Sequence, residues 1–176
     1  PEVQRSYYID GVHGLKYFTY VSQELPQMVH RMFGLPLEKE NSYIMGLSMG
    51  GYGALKCALT YPERYAGCGS FSGVTDLEQM RENPTGSMQP WEYDALLGAG
   101  KPTGAENDLF RLAQKKTLPP IYLSCGEQDS LYEMNVRFDA HLKALGANHR
   151  FDHRPGDHSW DFWDQSLQDC MSWLKL

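Results

Sequence analysis

Apolar side chains at Leu15, Phe18, Val21, Leu25, Met28, Val29 and Met32 recur at steps of three and four, which is the spacing of one helix face. Pro26 falls inside this run and predicts a kink or interruption there, and Gly34 with Pro36 ends it. A short apolar run from Tyr43 to Leu47 then leads straight into Ser48 and the glycines Gly50, Gly51 and Gly53, after which Ala54, Leu55, Ala58 and Leu59 resume helical spacing. That order reads as strand, sharp turn, helix. Tyr65 to Phe71 and Pro120 to Cys125 read as two further strands, the second with Pro119 and Pro120 at its entrance, where strands tolerate proline. Met134, Phe138, Leu142 and Leu145 mark another helix capped by Gly146, and Arg150 to His153 a fourth strand before the loop Pro155, Gly156, Asp157, His158. The last helix carries Trp163, Leu167, Cys170, Met171 and Leu174 on one stripe. Continuous apolar strands suit a parallel sheet covered on both faces. Their alternation with helices predicts an α/β fold built from βαβ units.

Residues 74–118 break this alternation. The stretch is polar, holds Pro84, Pro90 and Pro102, and exceeds ordinary connection lengths. It reads as a cap-like insertion over one end of the sheet, with a short helix around Asn107 to Ala113 and with Trp91, Tyr93, Leu96 and Leu97 as candidate pocket residues.

Composition narrows the function classes. With 176 residues, 41% apolar, 12% aromatic and 22% charged, the chain is expected to form one packed domain, and wholesale disorder or a collagen-like structure is excluded. A formal net charge of −6 and the lack of a Lys/Arg stripe argue against nucleic acid as a partner. No apolar run reaches the roughly 18 to 20 residues of a membrane span. Cys57, Cys68, Cys125 and Cys170 are widely spaced, lie in apolar segments and form no Cys-x-x-Cys pair. They read as buried thiols in a reducing, cytoplasmic setting, not as a disulfide scaffold or zinc site. The chain begins at Pro1 with no charged-then-apolar leader, which suggests a processed chain or a fragment.

Gly46-Leu47-Ser48-Met49-Gly50 fits the G-x-S-x-G turn that presents a nucleophilic serine between a strand and a helix. Three fixed positions of this kind arise by chance in roughly 5% of chains of this length, so context must decide. Here the motif follows an apolar strand, opens a helix and lies upstream of an acid and a histidine in the order Ser, Asp, His. The acid candidate is Asp129, just past the strand ending at Cys125, where functional groups of open α/β sheets collect. A turn or helix-capping carboxylate is the alternative for that residue. The base candidate is His158, in the loop before the final helix. Asp157, then Asp152 and Asp161, follow as acids; His13, His30, His141, His149 and His153 are weaker bases by position. His149 and His153 lack a third ligand, so no metal and no other cofactor is expected. In this reading His158 takes the proton of Ser48 during attack, Asp129 fixes the imidazole tautomer, and the backbone N–H of Met49 meets the oxyanion.

The segments GLSMGGYGALKCAL, YPERYAG, SFSG, CGEQDSLYEMN and GDHSWDFWD together resemble the esterase D group of α/β-hydrolases, and the resemblance covers nearly the whole chain. YFTYVSQELPQMV is similar to the group's helix leading to the nucleophile strand. The group includes tributyrin-type, acetyl-xylan and feruloyl esterases and S-formylglutathione hydrolases, with mycolyltransferases as relatives. The tyrosine in SMGGYG and the tryptophans after His158 look more like the tributyrin, acetyl and feruloyl branch. By this resemblance Ser48, Asp129 and His158 are nucleophile, acid and base. Independently of it, the insertion's Trp91 and the Trp160 that follows His158 are candidate substrate-binding residues from their places in the chain. Members of the group carry further strands and an oxyanion loop ahead of the region seen here. The resemblance therefore implies an incomplete domain, its C-terminal two thirds, and a second segment or chain pairing with Tyr43 to Leu47, whose edge is otherwise open.

The expected activity is a serine carboxylesterase acting on a small ester, with short-chain or aryl acyl groups and acetyl or feruloyl esters of carbohydrate among the candidates. An acyltransferase of the same fold and a catalytically silent binding module are the alternatives. Without a second oxyanion donor the piece alone is expected to be inactive or weak, since one such donor contributes roughly 100- to 1000-fold. A homo-oligomer is compatible with these readings.

Overall fold

The computed structural model of the chain describes residues 1–84, 88–115 and 117–176. Four parallel strands, β1 (Tyr43–Leu47), β2 (Gly67–Phe71), β3 (Ile121–Gly126) and β4 (His149–Arg154), pair in chain order β1-β2-β3-β4. The register sets Leu47 opposite Phe71 and Phe71 opposite Ser124, so three strand ends rise to a common rim. Each crossover is helical. The helix α3 (Met49–Thr60) joins β1 to β2, and α7 (Tyr132–Ala144) joins β3 to β4.

Alternation along β3 divides the core. Ile121 and Leu123 face one side with Leu55 and Leu59 of α3 and Phe138 and Leu142 of α7. Tyr122 faces the other, with Phe71 and with Phe162, Trp163 and Cys170 of the C-terminal helix α8 (Trp160–Leu174). Close approach of α8 depends on a missing side chain: a Cβ on Gly69 of β2 would lie 2.9 Å from Cys170 Sγ. All four cysteines are buried and free, in line with the sequence reading.

The N-terminal helical run is continuous through the proline. A short α1 (Tyr17–Thr19) passes into a π turn at Tyr20–Glu24 and then α2 (Leu25–Phe33), closed by Gly34 at φ 64°. Pro26 has no N–H for the Ser22 carbonyl, and Arg64 Nη1 donates to that oxygen instead at 2.9 Å. The expected kink is therefore a local π turn with its orphaned acceptor filled.

Among the described residues of 74–118 the structure holds three helices, α4 (Leu77–Glu82), α5 (Pro90–Leu97) and α6 (Leu109–Leu112), of which the sequence pattern predicts only the last. These helices are too short for periodicity and are specified by their caps. Asp76 accepts from Gln79 N–H, Gln89 and Glu92 form a capping box around Pro90, and Asp108 accepts from Phe110 and Arg111. Residues 85–87 and 116 of the expected insertion lie outside the described residues.

β4 is one sheet edge and β1 the other. β1 is half-buried along most of its length, and α2 beside it in sequence contributes no buried residue, with Met32 66% and Phe33 67% exposed. Among the described residues no helix is long and apolar enough to cross a membrane.

Candidate active site

Ser48 sits between β1 and α3 with φ 53° and ψ −120°, outside the regions that L-residues ordinarily occupy. The turn closes tightly enough that a Cβ on Gly46 would lie 2.2 Å from the Gly50 carbonyl oxygen, which accounts for the first glycine of the motif. Met49 is the first residue of α3, so its N–H is one of those a helix leaves unpaired, and it points with the positive end of the helix dipole.

Asp129 follows β3 in the turn that opens α7. Its carboxylate is divided between two duties: Oδ1 accepts from Leu131 N–H at 2.9 Å and Oδ2 from His158 Nδ1 at 2.8 Å. The turn contact and the histidine contact are thus made by the two oxygens of one side chain. Burial alone would raise this carboxyl, but hydrogen bonds from His158, Ser72 and the Leu131 N–H outweigh it and hold the group below its ordinary range. The carboxylate is ionised at neutral pH.

His158 Nε2 lies 2.9 Å from Ser48 Oγ. The structure therefore brings Ser48, His158 and Asp129, from the ends of three different loops, into one hydrogen-bonded line. The His158 loop is clamped to the Asp129 loop by Gln128, whose N–H donates to the Gly156 carbonyl at 2.9 Å and whose Oε1 accepts from Gly156 N–H at 2.7 Å. Trp163 stands edge-on to His158, with ring centroids 4.8 Å apart and planes at 90°. From sequence Trp163 is only a member of the last helix's apolar stripe, and Gln128 carries no signal beyond adjoining Asp129.

The other titratable candidates lie elsewhere. Asp152 accepts from the Tyr122 hydroxyl and pairs with Arg154; Asp157 and Asp161 are exposed. His149 is held by Asp139 and the Ala147 carbonyl, His141 by the Phe110 carbonyl, His30 by the Leu35 carbonyl, and His153 by Glu127. Among the described residues no group of three His, Cys, Asp or Glu side chains could hold a metal ion.

Ser48, Met49 and His158 open into a cavity of about 410 Å³, walled by Val74, Met80, Met88 and Leu131 with Tyr7, Gln4 and Arg5 at its rim. Trp91 is 67% exposed and lines a neighbouring cavity of about 390 Å³ that shares Gln4 and Arg5 with the first. Leu96 joins it there, whereas Tyr93 and Leu97 are buried in the core. Trp160 is 72% exposed and packs edge-on against Trp163 without lining the Ser48 cavity. A larger cavity of about 650 Å³, between the start of α4 and the residues around α6, has no serine, cysteine or histidine among its described lining residues and shares none of its lining with the Ser48 cavity.

Comparison with known proteins agrees with this geometry. The model of the family Esterase, described as "Putative esterase", matches residues 10–174. The chain is 28% identical to an acetyl esterase of Caldicellulosiruptor saccharolyticus over 99% of its own length and 70% of the relative's. It is 29% identical to an S-formylglutathione hydrolase of Paracoccus denitrificans, covering 95% of this chain and 60% of that protein. Among solved structures, the fluorophosphonate-binding serine hydrolase F of Staphylococcus aureus superposes with a TM-score of 0.88 at 30% identity, over 99% of this chain and 69% of the other. The chain thus spans 60 to 70% of the length of these relatives. On the match along its length, the parallel sheet and the strained serine turn, the chain belongs to the esterase family, in the esterase D-like group of α/β-hydrolases.

Proposed function

We propose that the chain carries the catalytic centre of a serine carboxylesterase for short-chain or aryl acyl esters, with Ser48 as nucleophile, His158 as base and Asp129 as acid. The observation that carries this reading is the unbroken line from Ser48 Oγ to His158 Nε2 at 2.9 Å and from His158 Nδ1 to Asp129 Oδ2 at 2.8 Å, at the mouth of an apolar cavity. Ser48 Oγ attacks the ester carbonyl and its proton passes to His158 Nε2. The oxygen of the tetrahedral adduct is met by Met49 N–H. As the adduct collapses, the C–O bond to the alcohol breaks and His158 returns the proton to the leaving alkoxide, leaving an acyl-serine. Water, deprotonated by the same imidazole, then releases the acid and restores the Ser48 hydroxyl.

The cavity supports an apolar acyl group. Four of its walls are Val74, Met80, Met88 and Leu131, and methionines adapt to differing shapes. Water as the acceptor is supported by the His158 side chain, 35% exposed in front of the cavity. The test is labelling and turnover together. An aryl organophosphonate is expected to modify Ser48 at one equivalent and to block hydrolysis of short-chain aryl esters, and Ser48→Ala is expected to lose both. A folded Ser48→Ala protein that still hydrolyses these esters would overturn the reading.

We propose further that the open edge of β1 takes up another strand of the same fold. The support is the half-buried β1, the exposed apolar face of α2, and relatives whose length exceeds that of this chain.

A further inference from the structure

Asn135 ends the segment CGEQDSLYEMN and Gly73 ends SFSG, and the catalytic reading leaves both residues without a role. Asn135 stands in the first turn of α7 and is fully buried. Its Nδ2 donates twice, to the Gly73 carbonyl at 2.9 Å and to the Leu131 carbonyl at 2.9 Å. Both partners can only accept, so the orientation of the amide is fixed and both of its protons are engaged. Its Oδ1 is buried with no hydrogen-bond partner among the described residues. A buried acceptor left unmet is costly, and an aliphatic side chain of the same shape would avoid it. The Leu131 carbonyl does not depend on the amide, because it also accepts from the Asn135 backbone N–H at 3.3 Å. What the side chain adds is the bridge across to Gly73, on the loop that follows β2.

That bridge joins two walls of the Ser48 cavity. Val74 follows Gly73, Leu131 directly precedes α7, and both line the cavity. Each is also tied to a residue of the catalytic line through its own N–H: Val74 to the Ser48 carbonyl at 3.4 Å, and Leu131 to Asp129 Oδ1 at 2.9 Å. The Gly73 backbone lies against the start of α3 so closely that a Cβ on Gly51 would come within 2.8 Å of Gly73 Cα. On the other side of Val74, Thr75 Oγ1 donates to the Met134 carbonyl at 2.8 Å. Val74 is therefore held between two buried hydrogen bonds to one turn of α7.

We propose that Asn135 is a positioning residue that sets acyl specificity: its two amide protons bracket the Val74 and Leu131 walls and so fix the width of the acyl cavity. This rests on the esterase reading, in which that cavity takes the acyl group of the ester. With the bracket in place the two walls resist parting around a longer chain, and short acyl groups are favoured.

Asn135→Leu keeps the branch at Cγ and removes both donors. Asn135→Ser keeps a hydroxyl able to bond the Leu131 carbonyl four residues earlier, but ends one bond short of the amide nitrogen and loses Gly73. It carries the test if the leucine variant does not fold. The readout is the dependence of kcat/KM on acyl length, measured in the full chain with 4-nitrophenyl acetate, butyrate, hexanoate and octanoate. The rates at which alkylphosphonates of the same lengths label Ser48 give the same profile without turnover. In either variant the octanoate-to-acetate ratio is expected to rise roughly tenfold, the lower end of what one methylene contributes in an apolar pocket. A ratio unchanged in both variants, beside a dead Ser48→Ala, overturns the proposal and leaves the esterase reading standing. A uniform loss at every acyl length, in step with the folded fraction on a denaturation curve, assigns Asn135 a structural role and also overturns it. Turnover surviving in Ser48→Ala removes the esterase reading and this proposal with it.

Discussion

Ser48 is held in an unfavourable backbone region by hydrogen bonds on both sides of it. Its N–H donates to the Phe71 carbonyl at 2.8 Å, and its own carbonyl accepts from Gly51 N–H at 3.0 Å. Such a conformation costs on the order of 1 to 3 kcal/mol and persists only where its surroundings determine it. The result is an Oγ presented to His158 above the helix start. Asp129 sets the tautomer that makes this useful, since a carboxylate can only accept and so keeps the proton of the neutral ring on Nδ1, leaving Nε2 to take the Ser48 proton. In Asp129→Asn the amide can keep the Leu131 contact through its oxygen, but its NH2 then faces Nδ1 and drives the ring proton to Nε2. The expected outcome is a fall in kcat by about 10⁴, the scale seen when a triad carboxylate becomes an amide, with stability near neutral pH little changed. Steady-state kinetics beside a denaturation curve checks this, and a loss under tenfold would contradict it. At this scale the meeting of Ser48, Asp129 and His158 was legible in sequence because each of the proposed roles demands a particular residue type just past a strand end. The clamp of Gln128 on Gly156 was not, because hydrogen bonding to a carbonyl distant in sequence imposes no spacing along the chain.

Helix α3 connects three parts of the molecule through one charged side chain. Lys56, 2% exposed, donates to the Tyr8 carbonyl at 3.0 Å and to Asn107 Oδ1 at 2.6 Å, and its Nζ lies 4.3 Å from the centre of the Phe18 ring. It thereby joins the N-terminal segment and the region around α6 to the helix that starts at the nucleophile. Burial lowers its pKa from 10.5 to about 8, against the opposing influence of Cys57, Asp10 and Glu106. Between about 8 and 10.5 the unfolded chain therefore binds a proton that the folded chain lacks. Stability from this group rises with pH across that window, with a slope of at most about 1.4 kcal/mol per pH unit. Denaturant unfolding of wild type and Lys56→Met should show the difference between them shifting toward wild type from pH 8 to 10.5; a flat difference would count against the assignment. Nothing along the chain marks this lysine: α3 reads as apolar at Ala54, Leu55, Ala58 and Leu59, and only the tertiary partners make an ammonium tolerable between them. The same holds for α4 and α5, whose caps are local but whose lengths fall below what periodicity can register.

The whole molecule presents two different sheet edges. β4, written His-Arg-Phe-Asp-His-Arg, carries charges that discourage pairing, whereas β1 is apolar and beside α2 leaves a wide apolar surface exposed. If that edge takes another strand, the outward amides of Tyr43 to Leu47 are expected to exchange quickly in this 176-residue chain and slowly in a version extended upstream, with faster ester hydrolysis in the longer one. Hydrogen exchange and initial rates on both check this. Equal exchange and equal rates would sink the proposal, and a dimer that protects β1 would assign the edge to a second copy.

The α/β alternation, the four strands in their chain order and the proposed triad of Ser48, Asp129 and His158 were read from sequence alone. They rest on local rules, namely the two periodicities, the glycines of a tight turn and the chemistry of a hydroxyl beside an imidazole. Strand register, the splitting of the core by β3, the clamp from Gln128 to Gly156, the buried Lys56 and the placing of Trp91 and Trp160 away from the Ser48 cavity were decided only by tertiary structure. Each of these depends on groups far apart in sequence meeting at a few ångströms, and the pattern of any one segment carries no information about which distant surface it will meet.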